Sequence, residues 1–324
     1  MTMIHNRGER AIAVTALKAA LPYIRMFKRK VFVVKAGGAV FADEESTMHL
    51  VEQLGILHEV GIHTVLVHGG GPQSTELARA LDVPAQFVEG RRVTDEGSLQ
   101  VATMVLNGIV NTRILAAARD VSLPAVGMSG VDAGLIQAHK RPPVAISGVE
   151  SGPVDFGFVG DIDAVDSGVL RRQLDAGFLP VISPLSADSS GRLLNINADT
   201  VAAAIAAALK AEKLILVTGA PGILEDPADP RSLVSYLDLA GLERMRGEGM
   251  LAAGMKPKAD AINLAIRGGV PRVHVISYEV PDSLLLEVFT NEGTGTLVVE
   301  DTGSLTPAEQ AVETPGRAAR ERSS

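Results

Sequence analysis

Two apolar, β-branched runs of this chain end on glycine. Val31 to Lys35 leads into Ala36-Gly37-Gly38, and His63 to His68 leads into Gly69-Gly70-Gly71. Consecutive glycines let backbone N–H groups approach an anion with no Cβ in the way, and a helix that follows adds partial positive charge. A strand-to-helix turn also uses glycine for geometry alone, yet two such loops with a lysine at a strand end favour a phosphate cradle. Neither loop matches Gly-x-x-x-x-Gly-Lys-Ser/Thr or Gly-x-Gly-x-x-Gly, so any nucleotide is held by another design.

Three further clusters carry charge or amides. In Asn195-Ile196-Asn197-Ala198-Asp199-Thr200, amide and carboxylate groups at alternate positions exceed what one helix cap requires. Gly254-Met255-Lys256-Pro257-Lys258 sets lysines at a helix start, where they oppose the helix dipole. An anionic ligand beside them offsets that cost. Gly90-Arg91-Arg92-Val93-Thr94-Asp95 offers guanidinium forks suited to a carboxylate, and without the other clusters it reads as an exposed basic turn. This is a set for gathering and neutralising anions. With no cysteine in the chain and seven histidines outside any metal-ligand or triad spacing, thiol, zinc-cysteine and serine-hydrolase chemistry have no footing.

These residues need a scaffold, and 324 residues suffice for about two domains or one large α/β unit. Strand runs at Val31 to Lys35, His63 to His68, Leu179 to Ile182, Leu214 to Thr218 and Val273 to Ile276 read as buried parallel strands. Between them, about Glu44 to Val60, Ser98 to Arg119, Asp199 to Ala211 and Met255 to Arg267 carry apolar residues at helical spacing. From Phe87 to Asp161 the alternation breaks, and hairpins around Glu89-Gly90 and Ile146 to Gly152 are expected to form part of a lid. After Asp301 the composition predicts a disordered tail.

The net charge of −8 argues against nucleic acid or an anionic membrane as a partner. No run approaches the ~18 apolar residues of a membrane span, and Ala11 to Ile24 reads as an amphipathic helix. A cytoplasmic location is the expectation.

Taken together, the clusters resemble the amino acid kinase family, and within it the arginine-regulated, hexameric members that act on N-acetyl-L-glutamate. The resemblance is carried by Val34-Lys35-Ala36-Gly37-Gly38, Val67-His68-Gly69-Gly70-Gly71-Pro72-Gln73, Arg92-Val93-Thr94-Asp95, Met104-Val105-Leu106-Asn107-Gly108 and Ala125-Val126-Gly127-Met128-Ser129-Gly130. It continues through Gly157-Phe158-Val159-Gly160, Asn195 to Thr200, Ala211 to Leu216, Pro221-Gly222 and Gly254 to Lys258. The implied fold is α/β, an open and mostly parallel sheet sandwiched by helices, of the amino acid kinase or carbamate kinase-like type, with a β-hairpin lid. The implied reaction moves the γ-phosphoryl group of ATP, carried with Mg2+, to the side-chain carboxylate of N-acetyl-L-glutamate.

By the same resemblance, Lys35 contacts the transferring phosphoryl group, Lys258 lies on the nucleotide side, and Asp199 orients both. Gly37, Gly38, Gly70 and Gly71 supply N–H groups to phosphates and substrate, Arg92 and Asn195 hold the α-carboxylate end, and Asn197 supports them. Gly219, Gly222 and Met250 belong to the nucleotide side, and no protein ligand to the metal is implied. Residues 1–27 form a helix for oligomerisation and regulation, 28–194 bind the acylamino acid, 195–301 bind nucleotide, and 302–324 form the tail. A homo-oligomer, dimer or hexamer, and inhibition by L-arginine are implied too. Ala36, Ala39, Gly219 and the pair Ser277-Tyr278 depart from residues usual in the family. The alternatives are a kinase of a related acylated amino acid such as N-acetyl-aminoadipate, or a non-catalytic amino-acid sensor on the same fold.

Overall fold

The computed structural model describes residues 7–84, 86–88, 91–145, 152–290 and 293–304. Along the chain, helix α1 (Arg7–Phe27) precedes β1 (Val31–Ala36), α2 (Glu44–Glu59), β2 (His63–His68) and α3 (Gly71–Ala80). A hairpin of β3 (Gln86–Val88) and β4 (Arg91–Val93) follows, then α4 (Glu96–Thr103), a π-helical segment (Met104–Val110) and α5 (Asn111–Asp120). Next come β5 (Ala125–Ser129), β6 (Ile136–Lys140), β7 (Gly160–Val165), α6 (Ser167–Asp175), β8 (Leu179–Ser183), β9 (Leu185–Ala187) and β10 (Leu193–Asn195). The last part holds α7 (Ala198–Leu209), β11 (Lys213–Thr218), β12 (Tyr236–Asp238), α8 (Leu239–Gly247), α9 (Lys256–Arg267), β13 (Val273–Ser277), α10 (Ser283–Phe289) and β14 (Thr296–Val299).

Eight strands form one sheet in the order β12-β14-β13-β11-β1-β2-β8-β5, parallel throughout except at the β13–β14 pair. Strands β1, β2, β8, β11 and β13 are the five apolar runs that the sequence marks out. Each is buried on both faces because helices cover both sides of the sheet, which is why their sequences do not alternate. Strands from before residue 194 occupy one half of the sheet and those from after it the other, meeting where β1 pairs with β11. The alanine-rich α7 lies against β1 and α9, its small side chains permitting close approach.

The irregular stretch is more built than expected. Its β5 becomes an edge of the main sheet, and β6 and β7 join β9 and β10 in a second sheet of four strands. The β3–β4 pair is antiparallel, and Val144 bridges Val154, so the expected hairpins have paired flanks. Residues 89–90 and 146–151 lie outside the described residues. The tail expected from residue 302 begins with a 3₁₀ turn at Thr302–Ser304, and 305–324 also lie outside.

Among the described residues one continuous helix, Glu96–Asp120, is long and apolar enough to span a membrane, with a mean hydropathy of 1.4. It lies instead against α2, β5 and β8 and carries the buried Asn111, as a core helix does.

Candidate active site

Parallel strands deliver their carboxyl ends to one edge of a sheet, where ligands gather in open α/β folds. Lys35 stands near the end of β1, and its Nζ lies 2.8 Å from Asp199 Oδ1. From the other side, Lys258 in the first turn of α9 brings its Nζ to 3.5 Å from Asp199 Oδ2. Both Lys35 and Asp199 are almost wholly buried, their side chains 7% and 6% exposed, while Lys258 keeps 17%. Burial pulls the Lys35 pKa below the usual lysine value, Asp199 opposes that pull, and Lys258 adds to it. Burial also disfavours the charged form of Asp199, but the two ammonium groups outweigh it and hold its carboxyl below the usual range. One carboxylate thus keeps two cations together that otherwise repel.

Asp199 owes its place to the start of α7. Asn197 is the N-cap, its Oδ1 accepting the N–H groups of Asp199 at 2.8 Å and Thr200 at 3.3 Å. The capping reading therefore holds for Asn197 itself, whose amide oxygen is taken up by the helix. Asn195 lies two residues earlier on β10, half-buried, where Asn195 N donates to Phe158 O at 2.8 Å.

The two glycine loops touch. A Cβ on Gly38 would meet Gly70 Cα and Pro72 Cδ at 2.9 Å, so only glycine permits the contact. Gln73 Nε2 donates to Gly38 O at 2.7 Å and clasps one loop to the other. Gly70 is the N-cap of α3, and a Cβ there would meet Leu106 at 2.8 Å. At Gly37 and Gly71 no atom lies within 4 Å of where a Cβ would stand, which is the open backbone an approaching anion needs. Gly71 opens α3, and its N–H has no partner within the helix.

The backbone of Arg92 pairs with Phe87 on the β3–β4 hairpin. Just beyond it, Thr94 bridges Gly157, and Thr94 O accepts from Phe158 N at 2.7 Å. Phe158 O in turn takes Asn195 N. A backbone ladder thus ties the Arg92 hairpin to the Asn195 strand. Gly157 is in the left-handed region at φ +75°, and a Cβ there would lie 2.2 Å from Thr94 O.

On the other half of the sheet, Gly219 follows β11 and is exposed. A Cβ at Gly219 would stand 3.6 Å from Tyr278 Cε1, so two of the residues that depart from the family pattern are neighbours. Gly222 is buried, and a Cβ there would press on Leu233 Cδ1 and Thr296 Oγ1 at 2.6 Å, so packing alone requires this glycine. Met250 follows α8, half-buried against the main core. The structure brings Lys35, Asp199 and Lys258 into contact and sets Gly219, Gly222 and Met250 in the half to which β11 belongs.

Sequence reasoning gives no role to Gln73 and His68, which it meets only within a motif, and it misses Asn111 altogether. Asn111 is buried, and its Nδ2 lies 3.1 Å from His68 Nε2 and donates to Val181 O at 3.0 Å. The only signal for it is an asparagine on the apolar face of a long helix. Among the described residues no group of three or more His, Asp or Glu side chains is arranged to hold a metal ion.

Two lysines braced by one carboxylate stand beside open glycine backbone, a concentration of positive charge and free N–H groups suited to anions. The chain belongs to the amino acid kinase family, whose sequence model matches residues 30–277. It is 48% identical over 290 residues to the acetylglutamate kinase of Myxococcus xanthus, covering 89% of this chain and 94% of that one. To the acetylglutamate kinase of Symbiobacterium thermophilum it is 46% identical over 284 residues, covering 88% and 96%. Among solved structures, N-acetylglutamate synthase from Neisseria gonorrhoeae complexed with coenzyme A and N-acetyl-glutamate aligns with a TM-score of 0.76 and 30% identity, over 89% of this chain. This chain spans 64% of the length of that synthase. Carbamate kinase from Giardia lamblia bound to AMP-PNP shares the fold, with a TM-score of 0.61 at 17% identity over 84% of this chain and 99% of that one.

Proposed function

We propose that the protein transfers the γ-phosphoryl group of ATP to the side-chain carboxylate of N-acetyl-L-glutamate, giving N-acetyl-L-glutamyl 5-phosphate and ADP. The observation that carries this reading is the Lys35–Asp199–Lys258 bridge beside two glycine loops, in a chain that matches acetylglutamate kinases over nearly their whole length.

The chemistry suits the residues. A carboxylate is ionised at neutral pH, so it attacks phosphorus without a general base. Its oxygen forms the new P–O bond while the bond to the β-phosphate oxygen breaks, and that electron pair leaves with ADP. No proton moves. The barrier is dominated by bringing two anions into line and spreading the charge of the phosphoryl group as it passes. Lys35 and Lys258 supply positive charge, and Asp199 opposes the lowering of the Lys35 pKa by burial. Mg2+ bound together with ATP would supply further charge neutralisation, with Lys35 and Lys258 as the cations that this chain itself provides.

In this account β1, β2, β5 and β8 carry the acylamino-acid side, with Gly70, Gly71, Arg92 and Asn195 toward the acceptor. The β11 half carries the nucleotide side, with Gly219, Gly222 and Met250 near it and Gly37 and Gly38 at the phosphates. The enzyme works in the cytoplasm as a homo-oligomer. Support comes from α1, where Ile12, Val14, Leu17 and Leu21 stay exposed along one helix, an apolar stripe suited to a second copy. L-Arginine inhibits it in this reading. At the end of α1 the Phe27 ring lies 5.1 Å beneath Lys213 Nζ, which lies 3.1 Å from His274 Nε2. His274 Nδ1 meets Glu287 Oε1 on α10 at 2.6 Å, so a line of contacts joins the regulatory helix to the nucleotide half.

The test is ADP release with N-acetyl-L-glutamate, N-acetyl-aminoadipate, glutamate or aspartate as acceptor. A strong preference for N-acetyl-L-glutamate supports the proposal; equal or greater turnover with the longer acid overturns the substrate assignment.

A further inference from the structure

Three consecutive glycines have more conformational freedom than any other tripeptide, so a loop built from them holds one shape only if its neighbours impose it. In Gly69-Gly70-Gly71 the first residue is held at both its N–H and its C=O. Gly69 N donates to Ala36 O at 2.9 Å, and Gly69 O lies 3.1 Å from Nδ1 of His68, the last residue of β2. His68 is fully buried, and its other ring nitrogen faces Asn111 Nδ2 at 3.1 Å.

The hydrogen-bond roles follow by elimination. Asn111 Nδ2 also faces Val181 O, which can only accept, so that side of the amide is the NH2 group. His68 Nε2 must then accept from it, and the ring proton sits on Nδ1 and donates to Gly69 O. The imidazole is neutral and held in one tautomer. Room for the Asn111 side chain is made on β5, where a Cβ on Gly127 would fall 2.0 Å from Asn111 Oδ1. The π-helical segment immediately before Asn111 also touches the loop, through Leu106 and Val105 against Gly70.

We infer that Asn111, acting through the neutral imidazole of His68, is a positioning residue for the acceptor: it sets the Gly69 peptide and thereby orients the Gly70 and Gly71 backbone that meets the substrate. Neither side chain touches the reacting atoms in this account. The inference rests on the proposed kinase reading for the identity of the acceptor, and on geometry alone for the loop.

The experiment compares the full-length protein with Asn111→Ala, His68→Leu and His68→Asn, the last of which keeps a donor at the position of Nδ1. Both steady-state kinetics and amide hydrogen exchange over residues 67–74 are measured, with residues 31–36 as an internal control. Asn111→Ala and His68→Leu should raise the acceptor KM about tenfold, the equivalent of one lost hydrogen bond, leave the ATP KM nearly unchanged, and speed exchange in the loop but not in β1. His68→Asn should recover most of the acceptor KM. Equal changes in both KM values, or loop exchange that tracks the control strand, would mean a purely structural role and overturn the inference. If the wild type turns over no acceptor, the kinase reading fails, and loop exchange in the variants alone decides the positioning claim.

Discussion

The Lys35 ammonium and the Asp199 carboxylate meet at 2.8 Å where the two halves of the sheet join. Lys35 comes from β1 and Asp199 from α7, the helix that leads into the neighbouring strand β11. The pair is asymmetric. Asp199 has a second cation in Lys258, whereas among the described residues Lys35 has no other carboxylate in ion-pair contact.

That asymmetry separates two variants. Lys35→Met should lower kcat by about 10² to 10³, the usual effect of losing a positioned electrostatic group, with little change in unfolding free energy because Asp199 keeps Lys258. Asp199→Ala should lower kcat at least as much and destabilise the fold by about 3 to 5 kcal/mol, since it strands a buried ammonium. Turnover and urea unfolding of the two variants check the ordering.

Acid stability should fall in two windows. Burial pushes the His68 pKa from 6.5 down to about 4. Between those values the unfolded chain binds a proton that the native state refuses, so stability drops as pH falls through the window, by on the order of 3 kcal/mol in full. For Glu287, burial is the largest influence and opposes ionisation, but the hydrogen bonds from His274 and Thr294 N and the nearby charges of His274 and Lys213 together outweigh it and take the pKa from 4.5 to about 2. Its contribution is present above 4.5 and is lost as pH falls toward 2. Denaturant midpoints against pH should flatten between 6.5 and 4 in His68→Asn and below 4.5 in Glu287→Gln.

Removing the helix cap tests how Asp199 is placed. Asn197→Ala should cost about 1 kcal/mol of stability and lower kcat through a displaced Asp199. Asn197→Ser, which restores a capping oxygen, should recover both. Recovery of stability without activity would instead assign the Asn197 amide a direct role at the substrate.

Truncation addresses regulation. Deleting residues 1–25 removes the exposed stripe of α1 but leaves Phe27, which is buried against Phe32 and Lys213. The truncated enzyme should keep turnover, lose inhibition by arginine, and run as a smaller oligomer in sedimentation; unchanged arginine sensitivity and size contradict the role given to α1.

Five of the strands of the central sheet, β1, β2, β8, β11 and β13, were legible because each is a largely apolar run bounded by polar or glycine-rich turns, and Lys35, Asp199 and Lys258 because charge in such places is costly without a ligand. Short strands such as β9, β10 and β12, three residues each, are defined by pairing with distant chain and leave no periodic signal. Gly222 was read toward nucleotide although Thr296 and Leu233 explain it by packing, a contact that a linear chain does not display. His68 was visible only as part of a motif, since its partner Asn111 is reached through helix packing. The hairpin carrying Arg92 was anticipated from composition, but its backbone link to Asn195 through Thr94 and Phe158 depends on the second sheet.

The most direct measurement is trapping of the product with hydroxylamine, which intercepts an acyl phosphate as a hydroxamate. With ATP, Mg2+ and N-acetyl-L-glutamate, the wild type should yield ADP and hydroxamate in equal amounts, and Lys35→Met should yield almost none. ADP without hydroxamate, or ligand binding with neither product, would contradict phosphoryl transfer to the side-chain carboxylate.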